Sequence, residues 1–176
     1  KDTLRLSQNS STKNHTRGLF STRTGAAVQI TAIDDAVKAT NTEVLSIEFP
    51  RDTKGWGGHG NYIVIGGNDV SDVRHAIELA LELTKKNAGE LYISDSGHLE
   101  FTFSASAGAA LQKAFHAVPG QAFGFMAGSP AAIGPVMADT AMKASAVNIA
   151  CYLNPSFGPS HPNGLALNST SVHPRD

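Results

Sequence analysis

The chain repeats itself at a constant offset. Ala26-Ala27-Val28, Asp34, Ala36, Lys38-Ala39-Thr40, Val44 and Pro50 return 105 residues later, without a gap. The second set is Ala131-Ala132-Ile133, Asp139, Ala141, Lys143-Ala144-Ser145, Ile149 and Pro155. Both copies read as a helix, then a strand, then a loop entered by proline and rich in glycine. A period of about 100 residues is too long for a solenoid repeat and fits a duplicated small domain of mixed α/β type. Two similar domains in one chain can fill two positions of a ring, so the repeat points to assembly before it points to catalysis.

Composition narrows the function classes. An apolar fraction of 41% in 176 residues is ample for a packed core. The formal net charge is -1, so no basic face for nucleic acid is implied. A single cysteine excludes an intrachain disulfide framework and suits a reducing compartment. No apolar run reaches the roughly 20 residues that span a bilayer, and Lys1 to Arg17 has no apolar signal-peptide core. A cytoplasmic globular protein with no membrane contact is the expectation.

Local patterns give the elements. Residues 1–16 are small and polar and read as a mobile tail. Gly18 to Ser21 is a weak strand. Val28, Ile30, Ile33, Ala36 and Val37 recur near helical spacing over 26–40, and Glu43 to Phe49 alternates as a half-buried strand ended by Pro50. Asn61 to Ile65 is a β-branched strand. Asp69 is the expected N-cap of the next helix, with Val73, Ala76, Ile77, Ala80 and Leu81 as its buried stripe and Gly89 as its left-handed stop. Strands at 91–94 and 98–103 flank a Ser-Asp-Ser-Gly turn. The sequence then predicts a helix over 107–118 stopped by Pro119 and a strand over 123–127, and the repeat predicts a helix over 131–145 and a strand over 147–153.

At this point the chain resembles a known family. Asp35-Ala36-Val37-Lys38-Ala39-Thr40-Asn41-Thr42-Glu43-Val44 runs on to Pro50-Arg51-Asp52-Thr53-Lys54-Gly55, and Gly66-Gly67-Asn68-Asp69-Val70-Ser71-Asp72-Val73 follows. Met137-Ala138-Asp139-Thr140-Ala141-Met142-Lys143 and Ser96-Gly97-His98-Leu99-Glu100 add support. Over residues 18 to 163 the chain resembles the tandem-domain shell proteins of bacterial microcompartments, of the type found in propanediol- and ethanol-utilising organelles. The resemblance implies an α/β (α+β) fold of two circularly permuted microcompartment domains, each a small ferredoxin-like sheet with flanking helices. It places an unaligned tail at 1–17, the first domain at 18–95 and the second at 96–176. It implies a pseudohexameric homotrimer that tiles a shell around metabolic enzymes and passes small polar metabolites such as diols, alcohols or aldehydes. It implies no catalytic activity and no cofactor.

The family pattern also includes an opening strand and helix before position 18 and a closing strand and helix due at about 166–191. Lys1 to Arg17 does not align with the first, and the second is predicted to be incomplete at Asp176. An incomplete second domain would expose core surface and favour aggregation or partner binding.

The resemblance places the pore on the two Gly/Pro-rich loops. Arg51, Asp52, Thr53, Lys54 and His59 would alternate around the axis with Ser156, Phe157, Ser160 and His161. Small polar groups at a passage site offer hydrogen bonds without tight capture. Ordinary connecting loops are the alternative. Lys38 and Lys143 hold equivalent places on equivalent helices and are candidates for tile-edge contacts, their stems packing on a neighbour and their ammonium groups meeting a carbonyl. The alternative there is an exposed helix lysine.

Other constellations carry less. Gly55-Trp56-Gly57-Gly58-His59-Gly60 precedes a strand and lacks the Lys-Ser/Thr of a phosphate loop. Trp56 fits either an exposed tile surface or a satellite core contact. His59, His75, His98, His116 and His161 lack metal-ligand spacing. Ser94-Asp95-Ser96-Gly97-His98 holds triad residue types within one turn, whereas a triad converges from distant elements. Cys151 reads as a buried small hydrophobe. The competing functional classes are a small-molecule sensor built from duplicated ferredoxin-like units and an enzyme. The first would bind one metabolite tightly, and the second would need a reactive cluster.

Overall fold

The structure is a computed structural model, and it describes residues 16–22, 26–48, 61–88, 92–95, 97–129, 132–153 and 163–169. Among these are eight strands and four helices. The first sheet is formed by β1 (Thr16–Thr22), β2 (Thr42–Glu48) and β3 (Asn61–Gly67) in the order β1-β3-β2. The second comprises β4 (Tyr92–Ser94), β5 (Gly97–Ser104), β6 (Phe123–Ser129), β7 (Val147–Leu153) and β8 (Asn163–Ser169), in the order β4-β5-β6-β8-β7. All of these pairings are antiparallel. The order β6-β8-β7 reproduces β1-β3-β2. The copies also share a defect: register shifts between Val44 and Ser46 against β3, and between Ile149 and Cys151 against β8. The shifts lie 105 residues apart, so the repeat extends to backbone irregularity.

Four helices cover the sheets: α1 (Ala26–Ala39), α2 (Val70–Asn87), α3 (Ala109–Phe115) and α4 (Ile133–Ala144). α1 is the central element. Ile30, Ala32, Ile33, Asp34 and Ala36 are fully buried and Gln29 and Thr31 nearly so, because α2 packs on α1 and so do α3 and β5. α2 is amphipathic. Its buried residues Val73, Ala76 and Ala80 are small enough for close helix approach, while Arg74 and Glu78 pair at 2.8 Å on its exposed side.

One core joins the sheets. Phe20, Ile30, Ile33, Ile63, Ile65 and Val73 share a cluster with Leu111, Phe115, Phe123 and Phe125. The Phe115 ring stacks on Phe123 at 5.6 Å and meets Phe125 at 4.7 Å. Each such buried side chain stabilises the fold by about 1.5–3 kcal/mol. The next residue of β6, Met126, points to the other face and packs on Ala138, Met137 and Ala141. β6 thus has α1 and α3 on one side and α4 on the other.

Several expectations change in detail. α3 ends at Phe115, ahead of Pro119. His116 adopts the left-handed conformation (φ 57°) and donates its N–H to the Gln112 carbonyl. Asp69 stands at the N-cap of α2 in extended conformation, but its side chain makes no capping hydrogen bond. Cys151 is half-buried rather than buried, and that burial pushes its thiol pKa up. Ser94 and Gly97 pair across the β4–β5 hairpin, a turn as expected. Gly89 and Trp56 lie outside the described residues.

Candidate functional site: a joint between the sheets and its exposed counterpart

The most organised polar site lies where α1 meets the start of α3. Asp34 sits on the α1 face that turns toward the second sheet, and its side chain is fully buried. Its carboxylate accepts hydrogen bonds from the main-chain N–H groups of Gly108 (2.7 Å), Ala110 (2.9 Å) and Leu111 (3.2 Å). These donors open α3 and have no partner within that helix, so a carboxylate 74 to 77 residues upstream supplies what a local N-cap would. Gly108 makes the approach possible. A Cβ there would stand 2.8 and 3.0 Å from the Asp34 oxygens and 2.6 Å from Lys38 Cε.

Lys38 completes the joint. One turn along α1, its ammonium lies 2.8 Å from Asp34 Oδ2 and 3.2 Å from Asp35 Oδ1, and it donates to the Ser106 carbonyl. Partial burial opposes its charge, but the hydrogen bonds and charges of Asp34 and then Asp35 outweigh it and hold the pKa above the ordinary lysine value. Lys113 adds a longer link from α3 to the Val44 carbonyl of β2 at 3.5 Å. Beside the joint opens a cleft of about 460 Å³, with Asp35, Lys38 and Asn87 on one wall and Phe101, Phe103 and Ser106 on the other.

The second copy of the repeat carries the same pair in different surroundings. Lys143 lies 2.6 Å from Asp139, four residues apart as in the first copy, but their side chains are 75% and 62% exposed. Of the two candidate contact lysines, Lys38 therefore holds the two halves of its own chain together and Lys143 faces outward. The candidate pore residues Arg51, Asp52, Thr53, Lys54, His59, Ser156, Phe157, Ser160 and His161 lie outside the described residues. Among the described residues, no group of three or more His, Cys, Asp or Glu side chains could hold a metal ion, and no helix is long and apolar enough to cross a membrane. Sequence reasoning missed Asp34 and Gly108 as a pair. The only local signal was the repeated Asp-Lys spacing.

Comparison with known proteins places this architecture. A crystal structure of a trimeric bacterial microcompartment shell protein, PduB, superposes with a TM-score of 0.82 at 43% identity, over 92% of this chain and 72% of that one. The chain belongs to the bacterial microcompartment shell proteins. A family model described as the BMC domain matches residues 17–96 of this shell protein, which hold the first sheet with α1 and α2. The crystal structure of EtuB from Clostridium kluyveri superposes with a TM-score of 0.80 at 46% identity, over 88% of this chain and 69% of that one. Bacterial microcompartment shell protein PduB of Citrobacter freundii is 51% identical over 150 residues, 85% of this chain. The chain spans 56% of the length of that relative.

Proposed function

We propose that this chain is a structural tile of a microcompartment shell, self-associating as a trimer whose two repeats per chain give a pseudohexagonal outline. The observation that carries this reading is its likeness, over 92% of its length, to a protein that crystallised as a trimer. In this reading residues 18–95 and 96–176 form the two microcompartment domains. The duplicated sheet order and duplicated bulge support that division.

The role is non-catalytic. The loops bearing Arg51, Asp52, Thr53, Lys54 and His59, and Ser156, Phe157, Ser160 and His161, line a passage for small polar metabolites of propanediol-, ethanol- or ethanolamine-type metabolism. Backbone amides and short polar side chains there bind weakly enough to release what they pass. Lys143 meets a neighbouring copy. The protein works inside the cell, in the shell, next to the enzymes it encloses. Electron microscopy of the concentrated protein tests the reading. Flat assemblies built from three-fold particles support it, and a field of separate single-chain particles at every concentration argues against it.

A further inference from the structure

Strand β5 carries its polarity the wrong way round. Thr102 and Ser104 point into the core, opposite Phe125 and Phe123 of β6, and are buried. Phe101 and Phe103 alternate with them and point outward, 44% and 75% exposed. A buried hydroxyl and an exposed large ring are the departures from ordinary patterning that call for an explanation. Both phenylalanines line the cleft beside the Asp34 joint, together with Asp35, Lys38, Asn87 and Ser106. Among the described residues β4 pairs with β5 only as far as Leu99, so the edge of β5 is open beside the cleft. The cleft brings α1 and α2, which cover the first sheet, against β5 of the second. Its volume of about 460 Å³ falls within the range of small-molecule sites.

We infer that this cleft binds a small organic cation, a protonated amine with an apolar body. Charge decides the sign. Asp35 and the buried Asp34 behind it face one ammonium, so the cluster keeps an excess negative charge. Lys38 has no donor left for an anion, because its three N–H groups already serve Asp34, Asp35 and the Ser106 carbonyl. Asp35 meets Lys38 through Oδ1 alone, and its side chain is 43% exposed. Its other oxygen and the Asn87 amide have no hydrogen-bond partner among the described residues. These groups offer acceptors to an ammonium, and the exposed rings of Phe101 and Phe103 attract a cation and cover an alkyl or aryl body. A single lysine or arginine side chain from another protein would leave most of the cleft unfilled, so a whole small molecule fits it better. A bound amine would touch α1, α2 and β5 at once and would stabilise the joint between the two sheets. The site goes beyond the shell role and does not depend on it.

The test is a saturation-transfer NMR titration of the full chain at about pH 7, where an aliphatic amine is protonated as lysine is. The probes are phenethylamine and its neutral counterpart phenethyl alcohol. The variants are Asp35→Asn, Phe103→Ser and, as a control on the exposed side of α2, Glu78→Gln. Circular dichroism melts of all three should stay close to the parent's, because each replaced side chain is exposed. The amine should bind saturably and at least about fivefold more tightly than the alcohol. Asp35→Asn should remove that preference, Phe103→Ser should weaken both probes by about threefold or more, and Glu78→Gln should match the parent. An amine that does not saturate, equal affinity for the two probes in the parent, or a preference that survives Asp35→Asn overturns the inference. Unchanged affinity in Phe103→Ser overturns it as well, since binding would then lie elsewhere. None of these outcomes bears on whether the chain self-associates.

Discussion

Removing the Asp34 carboxylate should cost more than an ordinary helix substitution. The side chain is fully buried and serves three main-chain donors and one ammonium. In Asp34→Ala those three N–H groups lose their acceptor, and the Ala110 and Leu111 donors are buried. A buried donor left unsatisfied costs about 1–3 kcal/mol. Relief from desolvating the carboxylate offsets part of this, and the ion pair itself adds little because the Lys38 side chain it leaves behind is 36% exposed, so the two buried donors set a cost of roughly 2–5 kcal/mol. For a chain of this size that is a fall in Tm of roughly 4–20 °C. Urea unfolding followed by circular dichroism gives the free energy. Hydrogen exchange at Gly108, Ala110 and Leu111 locates it, since those amides should lose protection first. Asp139→Ala, the same change at the exposed copy, should stay within about 0.5 kcal/mol of the parent monomer. Equal, small losses for the two variants would refute the reasoning, because they would mean that the capped joint contributes nothing.

Gly108→Ala should destabilise by about 1–3 kcal/mol in the same urea assay, because its methyl group would collide with a carboxylate that three amides hold in place. Phe115→Ala removes a fully buried ring packed on Phe123 and Phe125 and should cost about 3–5 kcal/mol, with both sheets unfolding in one transition since they share the core. Lys38→Met should expose a pH dependence. The Lys38 pKa is raised in the folded state, so its contribution is fully present below the unfolded lysine pKa of about 10.4 and is lost as pH rises through the higher folded value. The stability gap between parent and variant should therefore hold constant from about pH 6 to 9 and shrink only in stronger alkali.

Much of the architecture was legible because it is local. Helical spacing located α1 and α2, alternation located β2, and the repeat carried the first helix and strand over to α4 and β7. The bulge left a trace as well: Val44 and Leu45 are adjacent apolar residues in an otherwise alternating strand, a break in period that a register shift requires. The end of α3 was misread because Pro119 marks where a helix cannot continue, whereas the left-handed turn at His116 stops it earlier. The joint was not legible, since Asp34 and Gly108 are 74 residues apart and each looks ordinary in its own segment. Nor could the repeated Asp-Lys pair reveal its own asymmetry. Burial depends on what lies across from a helix, and the two copies have different neighbours.

The most direct test of the proposed shell role is the mass of the purified chain in solution, measured by light scattering behind size exclusion. A tile-forming chain should elute with a mass three times its own 18.4 kDa, or a multiple of that trimer. A single species at 18.4 kDa, unchanged as concentration rises, would contradict the assignment of this chain to a self-assembling shell.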